Sequence, residues 1–198
     1  VESRGLGDVY KRQQYGQWPR CGEIDIMEIH GSDTSKNYGT IHYGNPHKES
    51  QGSYQLNEGE GTYADDYHTF AVEWLPGRIN WYMDGKMFHT ENNWYSRTEG
   101  QGEITYPAPF DQEFYMILNL AVGGSWVGYP DETTDFENAA YEVDYVRVYQ
   151  KDSYDENVSK PETPKPVLRD PDEEGNYIIN GDFTVAEDLE DGKDWEFL

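Results

Sequence analysis

An all-β sandwich is the fold class this sequence predicts, and three observations carry the prediction. Alternating or apolar segments of strand length recur between turn-forming residues, a strong hairpin dipeptide joins two of them, and no segment sustains a helical period. Aromatics make up 15% of the residues, with 17 Tyr and 6 Trp, in a chain whose mean hydropathy is −0.95. That combination suits broad sheet faces better than a helical bundle.

Taken in order, residues 1–13 (VESRGLGDVYKRQ) carry no convincing period and are expected to stand outside the domain as an artefactual leader. From Gln14 to Gln150 the texture is that of strands and turns. GEIDIMEIHG alternates acidic and apolar residues, and KNYGTIHYG follows after a polar turn. HTFAVEWLPGRINWYMDGKMFH reads as a meander, turning at Leu75-Pro76-Gly77 and again at Asp84-Gly85, the favoured hairpin dipeptide. Trp74 and Trp81 lie on its alternating faces and are expected in the core, while Trp94 sits in a polar loop. FYMILNLAVGG is a continuous apolar run that predicts a strand buried on both faces. AAYEVDYVRVYQ alternates again and is expected to close a sheet. Short strands at this spacing predict a sandwich or jelly roll. Beyond Gln150 the texture changes. Residues 151–175 are rich in Pro and acid and read as a linker, and residues 176–198 regain apolar side chains like the opening of another domain.

Charge narrows the function. With 15 Lys and Arg against 39 Asp and Glu, the net charge is −24. Nucleic acid is excluded, because phosphate binding depends on basic side chains, and so is an anionic membrane surface. An uncharged polymer such as a polysaccharide remains compatible. Cys21 is the single cysteine, so the chain holds no internal disulfide.

The acidic strand carries the chemistry. Acids at i, i+2 and i+5 arise by chance roughly one or two times in such a composition, and Glu23, Asp25 and Glu28 are the one instance here. Spacing alone therefore proves nothing. The apolar residues between them say more. Ile24, Ile26, Met27 and Ile29 require a buried face, yet a regular strand would place Glu28 on that face, opposite Glu23 and Asp25. Burying a lone carboxylate costs several kcal/mol (about 2–7 even for a neutral polar group) or forces it neutral. One extra residue at Ile26-Met27, a β-bulge, returns Glu28 to the face of the other two acids. Such a row suits glycoside hydrolysis with retention, which needs two carboxyls about 5–5.5 Å apart, one nucleophilic and one protonated. Along a flat strand the two glutamates lie roughly 13 Å apart at Cα, so the sheet must be concave. Asp25 between them would hold a proton and help split their pKa values. A solvated acidic edge strand fits the same alternation.

WPRCGEIDIMEIHG resembles the active-site strand of family 16 glycoside hydrolases, Glu-x-Asp-x-x-Glu in its bulged, laminarinase-like form. GTIHYG, YHTFAVEW, INWYMDGK, PFDQEFYMILNLAVGG and YEVDYVRVYQ resemble further segments of that family, in its order, over residues 14–150. The resemblance implies a concanavalin A-like β-jelly roll with an open cleft, endo-acting retaining cleavage of β-1,3-glucan, and no cofactor for catalysis. It implies Glu23 as nucleophile, Asp25 as its helper and Glu28 as acid/base, with Trp18, His42 and Trp126 on sugar. It further implies a structural calcium at Asp144. His30, His47, His68 and His89 show no metal-ligand spacing.

The family domain begins with strands that have no counterpart here, so an incomplete sandwich is expected. Residues 176–198 resemble the start of a family 4-like carbohydrate-binding module. Secretion or display at the cell surface and a monomeric state are expected for an enzyme of polymeric glucan. Mixed-linkage glucan is a further candidate substrate. The alternatives are a non-catalytic glucan-recognition protein on the same fold, whose catalytic glutamates are usually lost, and a hydrolase of another polysaccharide such as agarose.

Overall fold

The structure, a computed structural model, describes residues 15–98, 100, 102–137 and 139–162. Chain packing divides the protein into Val1–Pro161 and Glu162–Leu198. The leader and the suspected binding module fall outside the described residues, as does most of the suspected linker.

The described part is all-β, as its texture predicts. Strands β1 (Glu23–His30), β2 (Asp33–Tyr43) and β3 (Lys48–Gln55) form one antiparallel sheet in chain order. Strands β4 (Phe70–Leu75), β5 (Arg78–Met83) and β6 (Lys86–Glu91) form a second. A small ribbon pairs β7 (Arg97–Thr98) with β8 (Gly102–Glu103). The meander turns where expected. Pro76 and Gly77 link β4 to β5, and Asp84 and Gly85 link β5 to β6 with φ of +46° and +77°. Two consecutive left-handed residues match the twist of the flanking strands.

The two sheets meet through a pair of rings seated on a pair of glycines. Gly39 and Gly52 face each other across β2 and β3, as Trp81 and His89 do across β5 and β6. A Cβ at Gly39 would stand 2.3 Å from the Trp81 ring, and one at Gly52 would stand 2.4 Å from the His89 side chain. The two rings stack with centroids 4.7 Å apart. Around them Ile41, Tyr43, Ile79, Trp94 and Phe110 complete a buried cluster.

Three sequence expectations are corrected. Residues 114–124 and 139–150 form no strand among those described, and Ile117, Leu118, Leu120, Val146 and Val148 are exposed. A run of strand-like composition becomes a strand only when neighbours complete its hydrogen-bond ladder. Among the described residues none does, apart from an isolated bridge between Gly124 and Gly128. Trp74 does not join Trp81 in the core. It remains 37% exposed, with its ring on Phe114 and its indole N–H donating to the Phe110 carbonyl at 3.0 Å. Trp94, from a polar loop, is fully buried because its N–H finds the Pro107 carbonyl at 2.9 Å.

Adding one methyl group to the notch should unseat Trp81. Gly39→Ala is expected to lower stability by about 1–3 kcal/mol through overpacking. Gly31→Ala, where a Cβ meets nothing within 4 Å, should stay within about 0.5 kcal/mol. Urea denaturation followed by circular dichroism would compare the two variants.

Candidate active site

The predicted bulge is present. Strand β1 pairs Asp25 with Thr40 and Glu28 with Tyr38, so three steps on β1 match two on β2. The extra residue falls at Ile26-Met27 and restores Glu28 to the face of Glu23 and Asp25. Across the sheet this face continues through regular pairs: Glu23 with His42, His42 with Glu49, and Thr40 with Gln51. Ile24 and Ile41 point the other way, into the cluster around Trp81. The Trp81 indole N–H donates to the Asp25 carbonyl at 2.9 Å and ties the acidic strand to the opposite sheet.

The three carboxyls occupy different environments. Glu23 is exposed at the start of β1 and accepts a hydrogen bond from the Trp18 indole N–H. Burial pushes Asp25 up to about 9, and the neighbouring Glu23 and Glu28 charges and a hydrogen bond to Glu23 push in the same direction. These causes bias Asp25 towards its neutral, protonated form. Burial also raises Glu28, against the opposing pull of a hydrogen bond from Thr40 and the nearby His42. Thr40 Oγ1 donates to Glu28 at 3.1 Å and accepts from Gln51 Nε2 at 3.1 Å. One exposed carboxyl thus stands beside two that burial biases towards the protonated form.

The flanking residues fall into two groups. Trp18 and His42 gather at the Glu23 end, with ring centroids 5.7 Å apart and His42 Nε2 3.4 Å from Asp25 Oδ2. Trp126 lies at the other end of β1, its ring 5.5 Å from His30 and 5.6 Å from Tyr38, the cross-strand partner of Glu28. Both tryptophans are more than half exposed, as platforms for a flat ligand face would be. Asp144 stands apart. A calcium ion takes about six to eight oxygen ligands, and among the described residues Asp144 belongs to no converging group of three acidic or histidine side chains.

Sequence reasoning missed Thr40, Gln51 and Tyr38. Period-2 counting back from His42 reaches Thr40 and Tyr38, so that signal was present. Gln51 needed the β2–β3 register.

A family model for glycosyl hydrolases family 16 matches residues 8–147. The chain is similar to glucan endo-1,3-beta-glucosidase A1 of Niallia circulans, 42% identical over 146 residues, covering 71% of this chain and 21% of that protein. It is 34% identical over 146 residues to a glucan endo-1,3-beta-glucosidase of Cryptopygus antarcticus, covering 69% of this chain and 52% of that one. Among solved structures, the laminarinase catalytic domain of Thermotoga maritima MSB8 aligns with a TM-score of 0.50 at 41% identity, over 64% of this chain and 49% of that chain. The chain spans about half the length of these relatives, or less.

The raised Asp25 sets a pH signature. Its folded pKa exceeds its unfolded value of 3.8. The folded state thus holds the extra proton, and its contribution to stability falls as pH rises between about 4 and 9. A single such group gives a slope of at most about 1.4 kcal/mol per pH unit. Asp25→Asn should flatten that slope and raise stability near pH 8, read from urea midpoints of both proteins across the window. Equal slopes in the two proteins would remove the assignment.

Proposed function

The chain belongs to glycosyl hydrolase family 16, and on that footing we propose that it carries the catalytic strand of an endo-acting, retaining β-glucan hydrolase. The observation that carries the reading is the bulged acidic row, with three carboxyls on one face and burial acting on two of them. The names of the relatives, two of them glucan endo-1,3-beta-glucosidases, support β-1,3-glucan as substrate. Mixed-linkage glucan is the second candidate. A neutral polymer suits a chain of net charge −24, whereas an anionic galactan calls for basic subsites.

Glu28 acts as general acid, with burial holding its proton until the glycosidic oxygen takes it. Glu23 attacks the anomeric carbon and forms a glycosyl ester while the leaving alcohol departs with that proton. Asp25 holds its own proton against Glu23, orienting the nucleophile. Glu28, now ionised, takes a proton from water, which cleaves the ester and regenerates both groups. The chemistry proposed uses carboxyls alone. Trp18, His42 and Trp126 serve as sugar contacts along the same face, and an extracellular site of action follows from a polymeric substrate.

Reducing-sugar release from laminarin, lichenan and agarose tests the assignment. Glu28→Gln is expected to lower kcat on the order of 10²–10⁴-fold, and Glu23→Ala at least as much, with KM little changed. Asp25→Asn should be milder, about tenfold, because it removes a helper rather than a bond-forming group. Near-normal turnover in either glutamate variant would refute these roles. Tight laminarin binding without cleavage by the unmodified protein would favour a glucan-recognition protein instead.

A further inference from the structure

Three of the five histidines have evident local partners. His30 bonds Ser32, His68 bonds Asp84, and His89 lies on Trp81. His42 and His47 face each other instead, with Nδ1 of the first 3.0 Å from Nε2 of the second. Glu49 brings Oε2 to 3.4 Å from His42 Nδ1. The ligand atoms of all three residues lie within 4.8 Å of one another, and among the described residues this is the one such group.

We propose that His42, His47 and Glu49 form a binding site for a divalent transition cation of the zinc or copper type. Two imidazole nitrogens and one carboxylate oxygen make a donor set that suits these ions and disfavours magnesium or calcium. Metal–nitrogen bonds of about 2.0–2.1 Å place neighbouring ligand atoms of a tetrahedron roughly 3.3–3.4 Å apart. Two of the three separations, 3.0 and 3.4 Å, are already near that edge and the third lies within 4.8 Å, so side-chain rotations would close the set around an ion. The scaffold is stiff. His42 and Glu49 are ladder partners on β2 and β3, and His47 sits in the turn between these strands. That turn is held by the Tyr95 hydroxyl, which donates to the Pro46 carbonyl at 2.8 Å.

The other face of His42 completes the pattern. Its Nε2 stands 3.4 Å from the half-buried Asp25 carboxyl. This is a charge contact and not a hydrogen bond, and a small rotation of the ring would convert it into the carboxyl–imidazole pairing that orients metal-binding histidines. Three protein ligands leave one position open. The Trp18 ring centroid lies 4.9 Å from that of His47. Occupancy would place a dication across the His42 ring from Asp25 and thus couple the acidic row to metal availability.

Calorimetric titration of zinc into the 198-residue chain at physiological salt tests the site directly and does not depend on hydrolysis. One zinc ion per chain is expected. His47→Ala should weaken binding by more than the roughly 10–100-fold that loss of a supporting partner costs. Glu49→Gln provides a second variant at an exposed position, should weaken binding as well, and decides the matter if His47→Ala does not fold. His68→Ala should bind as the unmodified chain does. Electron paramagnetic resonance with one equivalent of copper should show two coordinating nitrogens, falling to one in His47→Ala. Zinc binding equal in the unmodified chain and both ligand variants, or matched by calcium, would overturn the site and leave only diffuse attraction to an acidic surface.

Discussion

Everything that positions the acidic row depends on the seat that Gly39 and Gly52 make for Trp81 and His89. A side chain at either glycine would push the sheets apart, and the two flat rings fill the space left by the missing Cβ atoms. Burying a tryptophan there is worth roughly 3–5 kcal/mol by the cost of truncating one. The same indole spends its one polar group on the Asp25 carbonyl. Sheet spacing and strand placement are therefore set by one residue. The backbone beneath the central carboxyl is held from the opposite layer, immediately before the bulge that turns Glu28 back to the open face.

That anchorage explains how three carboxyls tolerate one another. On a chain of net charge −24 a row of like charges on one strand would ordinarily open or solvate. Here burial resolves the conflict by protonation. Burial and like charge bias Asp25 towards its protonated form, burial biases Glu28 the same way, and Glu23 stays exposed beneath an indole N–H. The site costs stability near neutral pH, and tight packing below it supplies what offsets that cost.

Local chemistry was legible in the sequence, and long-range partnership was not. Asp84-Gly85 announced its turn because few dipeptides accept two left-handed residues. The bulge at Ile26-Met27 was deducible because alternation and burial contradicted each other there, and one added residue was the cheapest resolution. Gly39 and Gly52 gave no such signal, since what they accommodate arrives from residues some forty positions away. Trp94, ambiguous from its polar neighbours, is buried, because one backbone carbonyl satisfies its N–H. The run at 114–124 erred in the opposite direction. Its composition fits a strand, but pairing is a property of two segments and composition belongs to one. His47 likewise became a neighbour of His42 only once the hairpin closed.

The extended segments outside any ladder have a consequence for the protein as a particle in solution. Ile117, Leu118, Leu120, Val122, Val146 and Val148 present an adhesive surface, while the surplus of acid makes each molecule repel its copies. Adhesion acts at contact and repulsion acts over a screening length of about 8–10 Å at ordinary salt. Ionic strength therefore decides which one an approaching copy meets first. In dilute buffer the long-range repulsion is the larger of the two forces. Added salt, or acid that brings it towards its isoelectric point near 4.3, removes the barrier and leaves the apolar segments to find one another.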